Sequence, residues 1–327
     1  MTSYDPTDGK YLNPTVDRRI AIVTGGYSTI GIYTVLHLYL HGYVVYIMGR
    51  NDYKIKQAIS QIKQEAQIRV KNYSKAEKMD RYLGDLKSIN VDLSNLISVN
   101  EAAKKFKQDN DKLHILINNA ELIGAPLQYT QDDYEIQYQV NVIAPFLLTL
   151  NLIPCLKNVQ DMTPRVINVC STIYKQLPQF LPPNYKFESS IYDFITRFER
   201  YANSKSSLVQ LTLQFAQRFP SILFISVHPG FVTGTSLYPD NHFYNLISLP
   251  VVRTVQLFTG VSREQGALAS IRGALDESLT LKHNGCYLTT GGEIEPLNSQ
   301  VQNQANCELV WQWNYEKLKS NGYIDQE

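Results

Sequence analysis

Residues 19–51 constrain the fold of this chain more than any other segment. They contain a short apolar run at 20–23, glycines at 25, 26 and 31, an apolar run at 30–40 and a β-rich run at 43–48. A short apolar run stopped by glycines is typical of a strand buried on both faces, and the longer run of a buried helix. Strand, glycine turn, helix and strand form the unit that places a pyrophosphate at a helix N-terminus, where free N–H groups and the dipole favour an anion.

The alternation of strands and helices continues along the chain. Further strands are predicted at 86–91, 113–118, 165–170 and 223–228, and helices at 51–65, up to 106, at 134–156 and at 201–218. This rhythm predicts an α/β, single-domain, Rossmann-like fold with a doubly wound parallel sheet covered on both faces. The domain is expected at 18–300, between a polar segment at 1–17 and a C-terminal helix at 301–327. The charged stretch 71–87 has no clear period and predicts a surface loop.

Composition excludes several classes of function. The 327 residues carry a formal charge of +1, which gives no electrostatic reason to expect nucleic acid as a partner. The four cysteines form no C-x-x-C pair, which favours reduced thiols over disulfides or a zinc site. His37 and His41 are interpreted as a core or surface pair, so no metal site is predicted.

Membrane-spanning and leader segments are not expected from the sequence. Residues 1–17 lack the apolar core of a signal peptide. No stretch is judged to reach the roughly 20 uncharged apolar residues that a membrane span needs.

Polar residues follow several predicted strands, at the edge where open parallel sheets bind ligands. These positions are 25–31, Arg50, Asp92, 118–121, Ser171 and 229–230. Tyr201 and Lys205 lie four residues apart on a predicted helix and therefore share a face. A nearby lysine cation favours the phenolate and lowers the pKa of tyrosine from its ordinary value of about 10. Taken alone, the same spacing also fits an ordinary pair on a helix surface.

The order of these motifs resembles the short-chain dehydrogenase/reductase family over about residues 18–292. The resemblance rests on the glycine turn, on Asn118-Asn119-Ala120, on Ser171 after a fifth strand, and on Tyr201 followed by Lys205. The 30-residue gap from Ser171 to Tyr201 and the run His228-Pro-Gly are similar to the retinol-dehydrogenase-like branch. The segments 35–42 and 260–270 resemble fungal members associated with lipid droplets.

This resemblance implies a catalytic set of four residues. Tyr201 matches the general acid/base, and Lys205 the residue that lowers its pKa and binds the nicotinamide ribose. Ser171 matches the hydroxyl that hydrogen-bonds the substrate carbonyl, or else it caps the end of a strand. Asn141 matches the residue that anchors a water in the proton relay, or else it is a polar residue on an exposed helix face.

A nicotinamide cofactor is implied as well. The residues expected around it, besides Tyr201 and Lys205, are Gly25, Tyr27, Ser28, Thr29, Ile30, Gly31, Arg50, Asp92, Asn118, Ala120, Pro229, Gly230, Val232 and Thr235. Arg50 stands at the end of the second strand, where an NAD enzyme needs an acid, and its guanidinium can pair with a phosphate through two hydrogen bonds. NADP(H) is therefore favoured. Asp52 nearby leaves NAD open, and Arg50 can also be an ordinary surface arginine.

Two residues depart from the family pattern. Thr29 replaces the middle glycine of the phosphate turn, although threonine is β-branched and poorly suited to positive φ. Glu121 replaces the glycine of Asn-Asn-Ala-Gly and adds a negative charge, expected near the adenine ribose. Either change can loosen cofactor binding or alter the pose of the cofactor.

The remaining expectations concern substrate and location. The apolar segment at about 236–262 fits a substrate lid, or an interfacial segment that lies on a lipid-droplet or membrane surface without spanning it. The function expected is an NADP(H)-dependent oxidoreductase that interconverts a carbonyl and an alcohol on a lipophilic substrate. The alternative is a non-catalytic NADP(H)-binding adaptor or sensor at a lipid surface. The expected place is the cytoplasmic side of a lipid droplet or the endoplasmic reticulum, otherwise the cytosol. The resemblance suggests homodimers paired through the helices of Asn141 and Tyr201.

Overall fold

A mostly parallel sheet lies at the centre of the computed structural model, which describes residues 4–188, 193–233 and 260–324. The strands are β1 (Ile20–Thr24), β2 (Val44–Gly49), β3 (Asp85–Asn90), β4 (Ile115–Asn118), β5 (Arg165–Val169), β6 (Leu223–Val227), β7 (Phe231–Val232), β8 (Gly260–Val261), β9 (Tyr287–Leu288) and β10 (Ile294–Glu295). The main sheet has the order β10-β9-β6-β5-β4-β1-β2-β3, and β7 pairs separately with β8. Neighbours in the main sheet are parallel except β9 and β10. The predicted doubly wound, Rossmann-like sheet is confirmed.

Helices cover both faces of this sheet. They are α1 (Thr29–Leu40), α2 (Asp52–Lys71), α3 (Lys75–Asp80), α4 (Leu96–Asp109), α5 (Ile136–Lys157), α6 (Asp193–Arg218), α7 (Arg263–Leu275), α8 (Ser299–Gln302) and α9 (Gln304–Ser320). Successive strand residues point to opposite faces, so Ala21 and Val23 pack toward α1, α2 and α7. Ile20 and Ile22 pack toward α4, α5, α6 and α9 on the other side. The two apolar layers hold the carboxyl ends of the central strands in register.

Two predicted helix boundaries differ clearly from the structure, and one predicted loop contains a helix. Helix α2 continues past Glu65 to Lys71, and α6 begins at Asp193, well before Tyr201. The charged stretch predicted to be a loop contains α3, because Ser74 and Glu77 form a reciprocal capping box at its start. A local signal therefore prevailed over the absence of a hydrophobic period.

Helix α5 corrects the expectation that no stretch is long and apolar enough to cross a membrane. It has 22 residues with a mean hydropathy of 1.6 in its most apolar window, and 78% of that window is buried inside the protein. In the described residues it is thus the core helix beside β4. A π-helical turn at Gln139–Ile143 interrupts it and contains Asn141.

The two ends of the described chain pack onto the domain. In the C-terminal helix α9, the ring of Trp311 lies 5.0 Å from that of Phe146 and 4.9 Å from that of Phe215. These contacts join α9 to α5 and α6, the helices through which pairing was expected. Near the other end, Leu12 is buried.

The histidine pair of α1 takes part in internal contacts. His37 is 2.8 Å from Glu264, and His41 hydrogen-bonds the carbonyl oxygen of Pro6. The described residues contain no group of three or more His, Cys, Asp or Glu side chains suited to a metal ion. All four cysteines, each within the described ranges, are free thiols.

Candidate active site

A cavity of about 390 Å³ opens at the carboxyl ends of β1, β4, β5 and β6. Eleven residues that the sequence placed at the site line it: Gly25, Tyr27, Ser28, Thr29, Ile30, Ala120, Ser171, Tyr201, Pro229, Gly230 and Val232. Asn119, Glu121, Ile123, Cys170, Thr172, Ile173, Gln176, Phe198, His228 and Phe231 complete its wall. The topology therefore brings the glycine turn and the tyrosine, far apart in sequence, to one hollow.

Other residues expected at the site lie away from the wall of this cavity. Arg50 is exposed just after β2. Asp92 accepts hydrogen bonds from the backbone and hydroxyl of Ser94, at 2.9 and 2.6 Å. Asn118 is buried and donates to Asn168 on the neighbouring strand at 2.8 Å. Thr235 and nearly all of the segment 236–262 lie outside the described residues.

The glycine turn leaves the N-terminus of α1 uncapped. Gly25 has φ +64°, and a Cβ at Gly31 would lie 2.4 Å from the carbonyl oxygen of Gly25. In the described part of the chain, Ser28 makes no side-chain cap for α1 and the first turn carries no acid, whereas Asn51 caps α2. The first N–H groups of α1 therefore face the cavity edge with no side chain competing for them, which suits an anion.

Thr29 is strained within this turn. Its φ is +46°, in the left-handed region that β-branched residues disfavour. Such a conformation costs on the order of 1–3 kcal/mol. The departure noted in the sequence is thus a real conformational cost, placed on the wall of the cavity.

Tyr201 and Lys205 share one acceptor. The Tyr201 hydroxyl and the Lys205 ammonium each lie 2.8 Å from Oε2 of Glu121. Lys205 also donates to the carbonyl oxygen of Val169 at 2.8 Å. The tyrosine and the lysine are both buried, so these hydrogen bonds form in a region of low dielectric, where they are strong.

Glu121, expected near an adenine ribose, lies beside Tyr201 and Lys205. Leu122 follows Glu121, and the side-chain amide of Asn141 binds both of its backbone groups. The amide accepts from Leu122 N at 2.8 Å and donates to Leu122 O at 2.9 Å. Asn141 also donates to Ser204 Oγ on α6 at 3.0 Å. This brace directs the loop after β4 toward α6. Asn141 is buried, so it is not on an exposed helix face, and its role with a water stays a prediction.

The pKa of Tyr201 is raised, whereas the sequence predicted that it is lowered. Burial, the charge of Glu121 and the hydrogen bond to it raise the pKa of Tyr201 well above its ordinary value of 10.0, while a hydrogen bond with Ser171 lowers it. The expected lowering by Lys205 is wrong for this state, because the ammonium is paired with Glu121. The phenol is therefore protonated and equipped to give a proton rather than take one.

Ser171 and His228 line the cavity just after β5 and β6. Ser171 Oγ accepts from Ile173 N at 3.3 Å and so caps the turn Thr172–Gln176, while also lining the cavity. His228 Nε2 is 3.3 Å from the hydroxyl of Thr172. Burial lowers the pKa of His228 to about 4, so the ring is neutral. Sequence reasoning did not select His228 as a site residue, although its place at the end of a strand was the available signal.

Comparisons with known proteins agree with this geometry. A family model described as short chain dehydrogenase matches residues 19–185. Human polyprenol dehydrogenase is 34% identical over 324 residues, covering 92% of this chain and 89% of the human protein. An uncharacterized oxidoreductase of Schizosaccharomyces pombe is 29% identical, covering 84% of this chain and 78% of its own.

Solved structures share the fold. An uncharacterized protein of Mycobacterium paratuberculosis superposes with a TM-score of 0.66 at 18% identity and covers 97% of both chains. A blue fluorescent protein from a metagenomic library, solved in complex with NADPH, has a TM-score of 0.59 at 22% identity, covering 85% of this chain and 98% of its own. Together with the family model and the human relative, the arrangement of sheet and cavity leads to one conclusion. The chain belongs to the short-chain dehydrogenase/reductase family.

Proposed function

We propose that the protein is an NADP(H)-dependent oxidoreductase that interconverts a carbonyl and an alcohol on a lipophilic substrate. The observation that carries the proposal is that one cavity is lined by both Ser171 and Tyr201, next to the uncapped start of α1. The human relative at 34% identity is a polyprenol dehydrogenase, which supports a lipophilic alcohol or its carbonyl as substrate.

The residues around the start of α1 fit the pyrophosphate part of a dinucleotide. The first turn of α1 and the residues before it would hold the pyrophosphate through backbone N–H groups. In the described residues the buried Oδ1 of Asn119, which lines the cavity, has no hydrogen-bond partner and can serve a bound group. The residues proposed to contact the cofactor are Gly25, Tyr27, Ser28, Thr29, Ile30, Gly31, Asp92, Asn118, Ala120, Pro229, Gly230 and Val232, with Thr235 beyond the described range.

Arg50 supports the choice of NADP(H). It is exposed, and no hydrogen bond or ion pair of its guanidinium is formed within the described residues. Asp52, the acid that left NAD open, accepts from the Asn90 side chain at 2.8 Å. A free guanidinium beside an engaged carboxylate favours a ribose 2′-phosphate over a bare 2′-hydroxyl.

The chemistry follows from the protonated phenol. When bound, the cofactor supplies or accepts the hydride. In reduction, Tyr201 gives its proton to the substrate oxygen, and Ser171 donates a hydrogen bond to that same oxygen. In oxidation, the Tyr201 phenol must first lose its proton to solvent, and Lys205 favours the resulting phenolate once its ammonium is released from Glu121. The phenolate then accepts the proton of the substrate hydroxyl. Asn141 fixes the loop that holds Glu121 close to Tyr201 and Lys205.

A lipid surface is the proposed place of action. The apolar segment at about 236–262 has the composition of a lid or an interfacial segment, and a lipophilic substrate is consistent with either. We place the protein on the cytoplasmic side of lipid droplets or the endoplasmic reticulum. Fluorescence microscopy of the tagged chain with and without residues 236–262 tests this, and a diffuse signal for the intact chain would contradict it.

Two observations favour the alternative, a non-catalytic NADP(H)-binding adaptor or sensor. Glu121 accepts a hydrogen bond from Tyr201 and pairs with Lys205, and Thr29 strains the phosphate turn. The deciding experiment follows NADPH oxidation with a panel of aldehydes, ketones, quinones and polyprenals. Tyr201→Phe should abolish turnover and spare NADPH binding, while Tyr53→Phe, at an exposed position on α2, should leave both unchanged. A folded parent protein that binds NADPH and reduces none of these compounds would support the adaptor.

A further inference from the structure

Glu121 presents one oxygen to the two donors that define the candidate active site. Tyr201 has one hydroxyl proton, and it is donated to Glu121 Oε2. Lys205 has three N–H donors, of which one goes to the same oxygen and one to Val169 O. The family resemblance implies that Lys205 binds the nicotinamide ribose and that Tyr201 lies beside the cofactor, so a ribose hydroxyl would need the same donors.

We propose that the carboxylate of Glu121 competes with the nicotinamide ribose for Tyr201 and Lys205, so that a dinucleotide seats fully only when this side chain swings aside. The inference rests on the proposed function and specifies how cofactor affinity is set at that same site. A glycine at this position would leave both donors open, so the competition belongs to this residue.

The surroundings let the side chain move while its backbone stays. Asn141 fixes both backbone groups of Leu122, and Gln137 Oε1 accepts from Gly124 N at 2.8 Å. Both hydrogen-bonded residues follow Glu121, so these contacts fix the loop immediately C-terminal to it. The Glu121 side chain is only 12% exposed but lies on the wall of the cavity, so rotation about its own bonds moves the carboxylate into open space.

The test compares two ligands that differ in the nicotinamide half. NADPH carries the nicotinamide ribose, whereas adenosine 2′,5′-bisphosphate keeps the adenosine and its 2′-phosphate and lacks that ribose. Dissociation constants are measured by isothermal titration calorimetry for the parent, Glu121→Gly, Glu121→Gln and the control Glu101→Gln, at an exposed position on α4. We expect Glu121→Gly to bind NADPH at least tenfold more tightly, with adenosine 2′,5′-bisphosphate changed less than twofold.

Each outcome separates the inference from the proposed function. Equal NADPH affinity in the parent and both Glu121 variants overturns the competition and leaves the proposed function standing. An equal gain for both ligands also overturns it, because general charge repulsion would then be the cause. Binding of NADPH by Glu121→Gly and not by the parent supports the competition and contradicts the proposed function. If no variant binds NADPH, both fall. Should Glu121→Gly fail to fold, Glu121→Gln decides, since it keeps the size and removes the charge.

Discussion

The side-chain amide of Asn141 replaces a backbone partner for Leu122, binding its N–H at 2.8 Å and its carbonyl oxygen at 2.9 Å. Asn141 lies in the π-helical turn of α5, and Leu122 follows Glu121 in the loop after β4. An interruption in a buried helix is thereby used to fix the loop that delivers a carboxylate to Tyr201. π-Turns are often found at functional sites, and this one connects the core to the cavity wall.

Substituting Asn141 by alanine should therefore loosen this loop. Two partly buried backbone groups of Leu122 would lose their partners, which lowers the free energy of unfolding by up to about 1–3 kcal/mol for each group left unsatisfied. Urea unfolding measures the change. Asn151→Ala on the same helix removes one side-chain hydrogen bond, to Asn100, and should cost less. Equal losses of unfolding free energy in the two variants would show that the hydrogen bonds from Asn141 to Leu122 stabilise the fold no more than an ordinary side-chain hydrogen bond.

Thr29→Gly should relieve strain in the phosphate turn. Glycine adopts positive φ at no steric cost, so the strain of about 1–3 kcal/mol is removed, against about 0.5–1 kcal/mol of added backbone entropy loss. We expect a small gain in thermal stability and tighter NADPH binding. The control is Thr34→Gly, five residues later in α1, where a helical glycine and the loss of a fully buried side chain should destabilise the fold by more than about 1 kcal/mol. A loss of stability in both variants would argue against strain at Thr29.

The parts of the fold that sequence predicted are those set by short-range patterns. The glycine turn and the four-residue spacing of Tyr201 and Lys205 are local, so both could be placed before the fold was known. The capping box of Ser74 and Glu77 was equally local, and attention to it would have found α3.

The parts that sequence missed depend on contacts between distant segments. The expected lowering of the Tyr201 pKa assumed an unpaired Lys205. In the structure, the loop after β4 brings Glu121 into an ion pair with the Lys205 ammonium. The path of that loop is set by Asn141, 19 residues from Leu122. Likewise, His37 and Glu264 meet across 227 residues, beyond any spacing rule.

The contact between α1 and α7 predicts an acid-sensitive stability. Hydrogen bonds from His37 and then from Arg69 lower the pKa of Glu264 from 4.5 to about 2. A carboxyl whose pKa is depressed by folding stabilises the native state above its unfolded pKa, and that stability is lost as pH falls from about 4.5 toward 2. Thermal unfolding of Glu264→Gln should therefore show a smaller drop in Tm between pH 6 and 3 than the parent, by on the order of a few degrees. Identical drops in Tm for the parent and the variant would show that Glu264 does not cause the acid sensitivity.

Arg50→Ala should separate the two nicotinamide cofactors. Loss of a guanidinium that pairs with the 2′-phosphate should weaken NADPH binding by about tenfold or more. This corresponds to at least about 1.4 kcal/mol, which is the contribution expected of one charge-assisted hydrogen bond. NADH binding should change little, because NADH lacks that phosphate. Fluorescence titration of both cofactors with the parent and the variant measures this. Equal affinity of the parent for NADH and NADPH would overturn the choice of NADP(H).

The raised pKa of Tyr201 predicts opposite pH profiles in the two reaction directions. Reduction needs the protonated phenol, which persists below the raised pKa, so kcat/KM for NADPH should be flat from about pH 6 to 9 with respect to this group. Oxidation needs the phenolate, so kcat/KM for NADP⁺ should rise about tenfold per pH unit over the same range. Glu121→Gln removes the charge that disfavours the phenolate and should move the rise in the oxidative profile to lower pH. An oxidative profile that is flat above pH 7 in the parent would mean that Tyr201 ionises there, and that Glu121 does not hold its proton in place.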